Sequence, residues 1–359
     1  MKKVSKVKSS VKEKPLMTVG LDLGDRSSHY CVLQGGEVIE EGKVQNTEES
    51  LRRHFGDGAR YRIALESGTH SPWISRLLES FGHEVIVANS RKIAAITSSE
   101  SKNDRNDAEW LARFAAADPK LLSPIHHRSV ERQQDLNLLR SRDALVRART
   151  MLVNVARGLV KSAGYRLPSC SPASFPRQAA ASVPVELEAS TIPLLKQIEL
   201  LSEQIKEMDR KVEALREKYP EIDVLRTVPG VGPVVAAAYV LTLDSPHKAS
   251  HRSAGAFLGL RPAQSQSGDS DPERRISKTG NVYLRSLLVQ SAQYILGHFG
   301  PDSALKRWGL KLAAGGGKRA RKRAIVAVAR KLAVMLHSMW LSGKPFQPFP
   351  QPITATQVA

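Results

Sequence analysis

The first third of the chain alternates short apolar runs with amphipathic stretches. Apolar runs of six to eight residues predict strands, and stretches with apolar residues every three or four positions predict helices. Three strands followed by an alternation of helix and strand predict an α/β domain with a mixed sheet over residues 16–125. The predicted elements are strands Met17–Gly24, His29–Gln34 and Glu37–Val44, helix Thr47–Phe55, strand Tyr61–Glu66, helix Pro72–Phe81 and strand His83–Ala88.

The middle of the chain has a different pattern, because residues 129–165 and 191–219 are both predicted to be helical. One stripe of the second segment is typical of a coiled coil or a long helical hairpin. This stripe either packs within the chain or provides an association surface. Four prolines in Leu167–Pro184 predict a loop between the two segments. The stripe consists of Ile192, Leu195, Ile198, Leu201, Ile205, Met208, Val212, Leu215 and Tyr219.

The glycine-rich turn Thr227–Pro233 precedes an apolar helix predicted at Val234–Leu243. This is the form of a helix-hairpin-helix, in which Gly230 and Gly232 would present backbone N–H groups to a phosphate. An ordinary turn between two helices is the alternative. The patterns together divide the chain into a basic arm at 1–15, the α/β domain at 16–125, a helical or coiled-coil region at 126–220, a mainly helical C-terminal domain at 221–345 and a tail at 346–359.

Charge adds a second signal, since 54 Lys and Arg against 35 Asp and Glu give a net charge of +19. Such a chain attracts polyanions, of which nucleic acid is the commonest. From Arg274 to Ala359 there are 15 basic residues and one acid, Asp302. Within this quarter, a basic cluster opens a helix, so its charges are candidate phosphate contacts rather than merely a solvated face. The basic cluster is Lys318, Arg319, Arg321, Lys322 and Arg323.

The location of the protein is predicted from what the sequence lacks. Cys31 and Cys170 have no spacing typical of a zinc site or a disulfide framework, which fits a reducing cytoplasm. No apolar run reaches the ~18 residues that a membrane span requires. The basic arm is not followed by the apolar segment of a signal peptide. We therefore expect a cytoplasmic protein.

Four acids are candidates for a metal site. Asp104 and Asp107 are three residues apart at the start of the helical run Ala108–Ala117, so they can point at one spot. Asp22 and Glu66 lie at or near the carboxyl ends of two predicted central strands, where open α/β sheets place their sites. Four carboxylates suit Mg²⁺ or Mn²⁺. The alternative is that Asp104 and Asp107 only cap free N–H groups of the helix and meet the positive end of its dipole.

These residues, taken in order, resemble a known family: the DEDD transposases of bacterial insertion sequences, relatives of the Piv and MooV invertases with a RuvC-like first domain of the ribonuclease H fold. The resemblance runs from about Val19 to about Leu341. Its motifs are Asp22, Glu66 and the pair Asp104/Asp107, then Val228-Pro-Gly-Val-Gly232, Phe257-Leu-Gly-Leu-Arg-Pro262, Ser267-Gly268 and Ile276-Ser-Lys-Thr-Gly-Asn-Val-Tyr-Leu-Arg285.

The resemblance implies a recombinase that cuts and rejoins DNA, guided by a structured RNA from the non-coding end of its own element. It also implies that Ser267 attacks the DNA backbone and becomes joined to it. Ser277, which lies in a basic motif of the same domain, is the rival nucleophile. Arg274, Arg275 and Lys278 are candidate phosphate clamps. We expect a homo-oligomer, a dimer or tetramer.

Two other functions compete with this one. The first is a metal-dependent junction-resolving nuclease in which the four acids activate water and Ser267 is a turn residue. The second is a nucleic-acid-binding protein with a degenerate ribonuclease H domain. The complete set of acids counts against the second.

Overall fold

The chain forms two compact units, Met1–His127 and Arg128–Ala359. The predicted helical region and the predicted C-terminal domain therefore fall mainly in the second unit. The predicted basic arm and residues 351–359 of the predicted tail lie outside the described part of the chain. The structure is a computed structural model that describes residues 17–93, 103–248, 251–264, 266, 267, 270, 272 and 274–350.

A five-stranded mixed sheet forms the centre of the first unit, in the order β3-β2-β1-β4-β5. β1 is antiparallel to β2 and parallel to β4, and β4 is parallel to β5. Gly35 and Gly36 form the turn from β2 to β3 with φ of +63° and +95°, which favours glycine. The predicted α/β class with a mixed sheet is confirmed. The strands are β1 (Met17–Leu23), β2 (Ser27–Gln34), β3 (Glu37–Gln45), β4 (Tyr61–Glu66) and β5 (Glu84–Ala88).

Helices cover both faces of this sheet. Alternate residues of each strand face opposite sides, so Leu21 and Leu65 pack against α1 and α2. Ala64 and Ala88 face the other side and pack against Leu111 and other residues of α4. The apolar core of the unit therefore lies on both sides of β1 and β4. The helices of this unit are α1 (Glu48–Phe55), α2 (Ser71–Ser80), α3 (Ser90–Ile93) and α4 (Asp104–Ala117).

Two long helices, α5 (Val130–Ser162) and α7 (Glu188–Lys218), pair in the second unit. Arg142 Nε donates to Asp209 Oδ1 at 2.5 Å between them. The apolar stripe predicted in the second helical segment is buried mainly within the chain, so it does not provide the association surface that the sequence left open. Its buried members are Leu195, Ile198, Leu201, Ile205, Val212, Leu215 and Tyr219.

The proline-rich link between these helices is not a loop throughout, contrary to the sequence prediction. A short helix, α6 (Phe175–Ala180), forms within it. Pro176 lies in the first turn, where a missing N–H costs no helical hydrogen bond. Phe175 and Ala179 are buried against α5 and α7, so tertiary packing outweighs the local preference for a turn.

The remaining helices pack around a fully buried tyrosine, Tyr239, whose hydroxyl donates to the Ala333 carbonyl at 2.6 Å. Burial raises the pKa of this hydroxyl. In the described part of the chain, α13 has the length and hydropathy that a membrane span requires, although the sequence predicted no such segment. Its stripe of Val328, Leu332 and Leu336 is buried in the core, as in an ordinary core helix. These helices are α8 (Glu221–Arg226), α9 (Pro233–Leu243), α10 (His251–Phe257), α11 (Val282–Leu296), α12 (Ala304–Ala313) and α13 (Gly317–Ser342).

Candidate functional site

Asp22 and Glu66 lie at equivalent positions near the carboxyl ends of two neighbouring parallel strands. Leu21 of β1 pairs with Leu65 of β4, so the next residue on each strand is an acid in register with the other. Because side chains alternate along a strand, both acids lie on the face opposite Leu21 and Leu65. That is the face that α4 covers.

The helix α4 runs antiparallel to β1 and β4, with its first turn at the edge of the sheet where Asp22 lies. His29 of β2 pairs with Asp22, and its Nδ1 lies 3.6 Å from Asp104 Oδ2 at the start of α4. At the other end, Arg62 near the start of β4 donates to the Ala115 carbonyl at 3.4 Å. The first turn of α4 therefore lies over the carboxyl ends of β1 and β4, where Asp22 and Glu66 lie. We call this end of the sheet the acidic edge.

Asp104 and Asp107 belong to the stripe of α4 that faces the sheet. They precede Ala108 and Leu111 by four residues each, and both of these are buried against the strands. Asp104 is exposed and Asp107 is half-buried. The structure thus brings all four predicted acids to one face and one edge of the sheet.

Capping does not explain the two aspartates of α4. The residue that caps this helix is Asn103, whose Oδ1 accepts from the Arg105 N–H at 3.2 Å. Asp104 and Asp107 still lie near the positive end of the helix dipole, which stabilises carboxylates. Neither carboxylate is the N-cap, so only the dipole part of the alternative remains.

Sequence reasoning missed the contribution of β2 and β3 to this edge. His29 contacts Asp104, and on β3 Glu41 Oε2 accepts from Arg105 Nε at 2.6 Å. Both contacts join the first turn of α4 to the sheet. His29 and Asp22 share a face because they are opposite each other in the register of β1 and β2, which the sequence alone does not show.

The donor chemistry of this edge fits a divalent cation. The four acids offer carboxylate oxygens, which Mg²⁺ and Mn²⁺ prefer. Within the residues that the structure describes, no three His, Cys, Asp or Glu side chains are close enough together to hold a metal ion. All four acids lie on the same face and at the same edge of the sheet. Binding of a metal ion there would bring their side chains closer together.

Ser267 lies in a segment of the second unit that two isolated antiparallel bridges fold back on itself, here called the serine hairpin. Pro262 bridges to Ile276 near the base, and Ser267 bridges to Ser270 with two backbone hydrogen bonds of 3.0 and 3.1 Å. Ser267 is exposed, whereas its rival Ser277 is half-buried with its hydroxyl 2.9 Å from that of Thr279. The glycine of the predicted Ser-Gly pair, residue 268, lies outside the described residues.

The base of this hairpin is tightly fixed. A Cβ at Gly259 would lie 2.0 Å from the Thr279 carbonyl oxygen, and one at Gly280 would lie 1.9 Å from that of Phe257. Arg285 of α11 donates to the carbonyls of Leu258 and Thr279 at 2.9 and 3.0 Å. A rigid base therefore supports the exposed serine.

The predicted phosphate clamps lie on the returning arm of the hairpin. Arg274, Arg275 and Lys278 are all exposed. Lys278 has φ of +56°, a left-handed conformation that is uncommon for a residue with a side chain. Its backbone N–H donates to the Gly259 carbonyl at 3.1 Å, which helps to hold this conformation.

The predicted helix-hairpin-helix corresponds to α8, the turn and α9. Gly230 has φ of +86°, and Gly232 precedes the first turn of α9 without a side-chain cap. An open groove of about 470 Å³ runs beside this turn and is bordered on its other side by Gln290 and Tyr294 of α11. The backbone N–H groups at the start of α9 thus lie beside a groove.

The basic cluster occupies the first two turns of α13, and all five of its side chains are exposed. The helix begins at Gly317 with no side-chain cap and no acid in its first turn. Cations at this end are repelled by the helix dipole, typically by 0.3–1 kcal/mol each. A bound anion would relieve that repulsion.

Two family models match the chain. One, for the DEDD transposase of IS110 elements and described as "Transposase", matches residues 19–164. The other, described as "Transposase IS116/IS110/IS902 family", matches residues 222–308. The first range contains the four acids, and the second contains the glycine turn and the serine hairpin. The basic cluster of α13 lies beyond both ranges.

The chain is also similar to bacterial proteins of insertion sequences. The chain is 31% identical to the transposase for insertion sequence element IS1111A of Coxiella burnetii, over 67% of this chain and 66% of that protein. It is 29% identical to the transposase for insertion sequence element IS1328 of Yersinia enterocolitica, over 77% and 82% of the two chains. It is 25% identical to an insertion element IS116 protein of Streptomyces clavuligerus, over 94% and 98%.

Proposed function

The chain belongs to the IS110 family of insertion-sequence transposases, and from that premise we propose that it cuts and rejoins DNA with a DEDD metal site and a serine nucleophile. The DNA transposase activity follows from the family. The site residues and their roles are the proposal. Its main support is the register that aligns Asp22 with Glu66 beneath the start of α4.

Asp22, Glu66, Asp104 and Asp107 would hold Mg²⁺ or Mn²⁺. When bound, the ion would supply Lewis acidity and orient the scissile phosphate. The chain itself contributes the geometry: two acids fixed on central strands and two on a helix packed against the same face. The strand order and the position of these acids are compatible with a RuvC-like domain of the ribonuclease H fold.

Ser267 would attack the phosphorus of a DNA phosphodiester. Its Oγ forms a bond to phosphorus as the bond to one bridging ester oxygen breaks, and that oxygen leaves as a hydroxyl that takes up a proton. The serine loses its own proton in the same step. The phosphoserine ester keeps the bond energy for rejoining, which hydrolysis would lose. The exposed position of Ser267 favours it over Ser277.

The basic surfaces of the second unit would bind nucleic acid backbones. Arg274, Arg275 and Lys278 adjoin the serine hairpin, and Gly230 and Gly232 would present N–H groups to a phosphate from a helix-hairpin-helix. The basic cluster of α13 would add charge contacts whose strength depends on salt. We further propose that one of the bound nucleic acids is a structured guide RNA from the element itself.

We propose that the protein works as a homo-oligomer, dimer or tetramer, in the bacterial cytoplasm where its DNA lies. Recombination joins several strand ends and therefore needs several catalytic centres. The predicted segments at 16–125, 126–220 and 221–345 would then serve as catalytic domain, helical region and C-terminal transposase domain.

A single assay separates this proposal from a junction-resolving nuclease. DNA carrying the ends of the element is cleaved by the protein and then denatured in detergent. Protein that stays joined to the cleaved strand supports the serine mechanism. Free ends on every cleaved strand would support hydrolysis by activated water and the nuclease.

A further inference from the structure

His29 lies between two of the proposed metal ligands. It is the cross-strand partner of Asp22, and directly opposite residues of antiparallel strands have side chains on the same face. Its Nδ1 lies 3.6 Å from Asp104 Oδ2. One histidine thus adjoins an acid from β1 and an acid from α4.

The Asp104 carboxylate needs a partner to fix its direction. Its side chain is 71% exposed, and Asn103 already caps the helix. The ion pair of Arg105 with Glu41 ties the first turn of α4 to β3. That pair fixes the helix but does not touch the carboxylate of Asp104.

The side chain of His29 is better fixed, since it is 31% exposed and stands on a strand that has neighbours on both sides. At 3.6 Å, His29 Nδ1 and Asp104 Oδ2 are further apart than the two atoms of a hydrogen bond. Contacts of this kind at catalytic sites are often long before substrate binds and shorten in the complex.

We infer that His29 is a positioning residue that directs the Asp104 carboxylate towards the edge where Asp22 and Glu66 lie. The inference rests on the proposed metal site and adds a residue that the four acids do not include. Residues that orient metal ligands typically change metal affinity or activity by about 10–100-fold when they are replaced.

The test is the affinity of the full-length protein for Mn²⁺, measured by electron paramagnetic resonance of the free ion in the absence of DNA. His29→Ala is expected to weaken Mn²⁺ binding by about 10–100-fold. His29→Asn places an amide nitrogen close to the position of Nδ1, so this variant is expected to keep most of the Mn²⁺ affinity that His29→Ala loses. A purely structural role would not predict this rescue.

His54→Ala is the matched control. His54 Nε2 lies 3.7 Å from Glu40 Oε1, and its side chain is 32% exposed, almost as in the His29 pair. His54 belongs to α1, on the opposite face of the sheet, and its ring contacts Tyr30 and Phe55. Its replacement is expected to cost some stability while leaving Mn²⁺ affinity unchanged.

The outcomes separate the two ideas. Loss of Mn²⁺ affinity in Asp104→Ala, with wild-type affinity in His29→Ala, would overturn the role of His29 and leave the metal site standing. Unchanged affinity in both Asp104→Ala and Asp22→Ala would overturn the metal site and the inference with it. Equal loss in His29→Ala, His29→Asn and His54→Ala would show a general effect on folding and would also contradict the inference.

Discussion

Gly20 of β1 lies directly beneath Ala108 of α4, so closely that a Cβ at position 20 would be 1.9 Å from the Ala108 carbonyl oxygen. The same atom would lie 2.6 Å from the Ala112 N–H nitrogen. Both neighbours are backbone, which cannot turn away as a flexible side chain can. The absence of a side chain at residue 20 therefore sets how closely α4 approaches the sheet, and with it the height of Asp104 above the acidic edge.

Gly20→Ala is expected to destabilise the first unit by about 1–3 kcal/mol or more, because the added methyl group overpacks a close helix–sheet contact. It should also reduce strand cleavage, since α4 carries two of the proposed ligands. Gly68→Ala is the control, because a Cβ there meets open space. Urea denaturation checks both variants, and equal stability of the two would contradict the packing argument.

Removal of any one of the four acids is expected to abolish strand cleavage and leave the fold intact. In the absence of metal, each of Asp22→Ala, Glu66→Ala, Asp104→Ala and Asp107→Ala removes like-charge repulsion, so the thermal midpoint should hold or rise. Cleavage and melting are measured in saturating Mg²⁺ and in chelator, with the exposed Asp57→Ala as a charge-matched control. Full activity in any two of the four variants would refute the metal site.

The basic cluster of α13 is expected to bind phosphates. Replacing its five cations with glutamine should weaken nucleic-acid binding and make the slope of log K against log salt shallower, by up to ~0.7–0.9 for each lost contact. A control variant removes five exposed cations from α7, where they alternate with acids. An unchanged slope in the α13 variant, or an equal change in the control, would show that the cluster faces solvent and does not contact phosphates. The control positions are Lys196, Lys206, Arg210, Lys211 and Arg216.

Much of the first unit was predictable because its signals are local. The apolar runs predicted the succession of strands and helices along the chain, and β4 matches its prediction at both ends. The stripe of α7 indicated that an apolar face would be covered. The stripe could not show that α5 covers this face, because a periodic pattern does not identify the element that packs against it.

The edge around Asp22 depends on contacts between distant segments, which local patterns do not encode. His29 reaches Asp104 only because β1 and β2 pair in one register and α4 returns over the same face. The segment around Ser267 has no clear alternation of apolar and polar residues, so the sequence did not predict its two isolated bridges. The N-cap of α4 was missed, since the sequence analysis considered only Asp104 and Asp107 for capping, whereas Asn103 caps the helix.

Mixing two inactive variants tests whether the protein works as an assembly. Asp104→Ala and Ser267→Ala are each expected to be inactive alone. If catalytic centres draw residues from different chains of a homo-oligomer, the mixture should recover part of the recombination activity. Recombination products are counted by quantitative PCR across the new junction. No recovery, together with a monomeric mass on bound DNA, would contradict the assembly.

A search for the proposed covalent link between Ser267 and DNA tests the proposed chemistry most directly. The protein is trapped on DNA from the ends of its element, digested with protease and nuclease, and the peptide that carries a nucleotide is identified by mass spectrometry. The account predicts a nucleotide on Ser267, loss of the adduct in Ser267→Ala, and an adduct still present in Ser277→Ala. Cleavage of DNA by Ser267→Ala at the wild-type rate, or an adduct on Ser277, would contradict it.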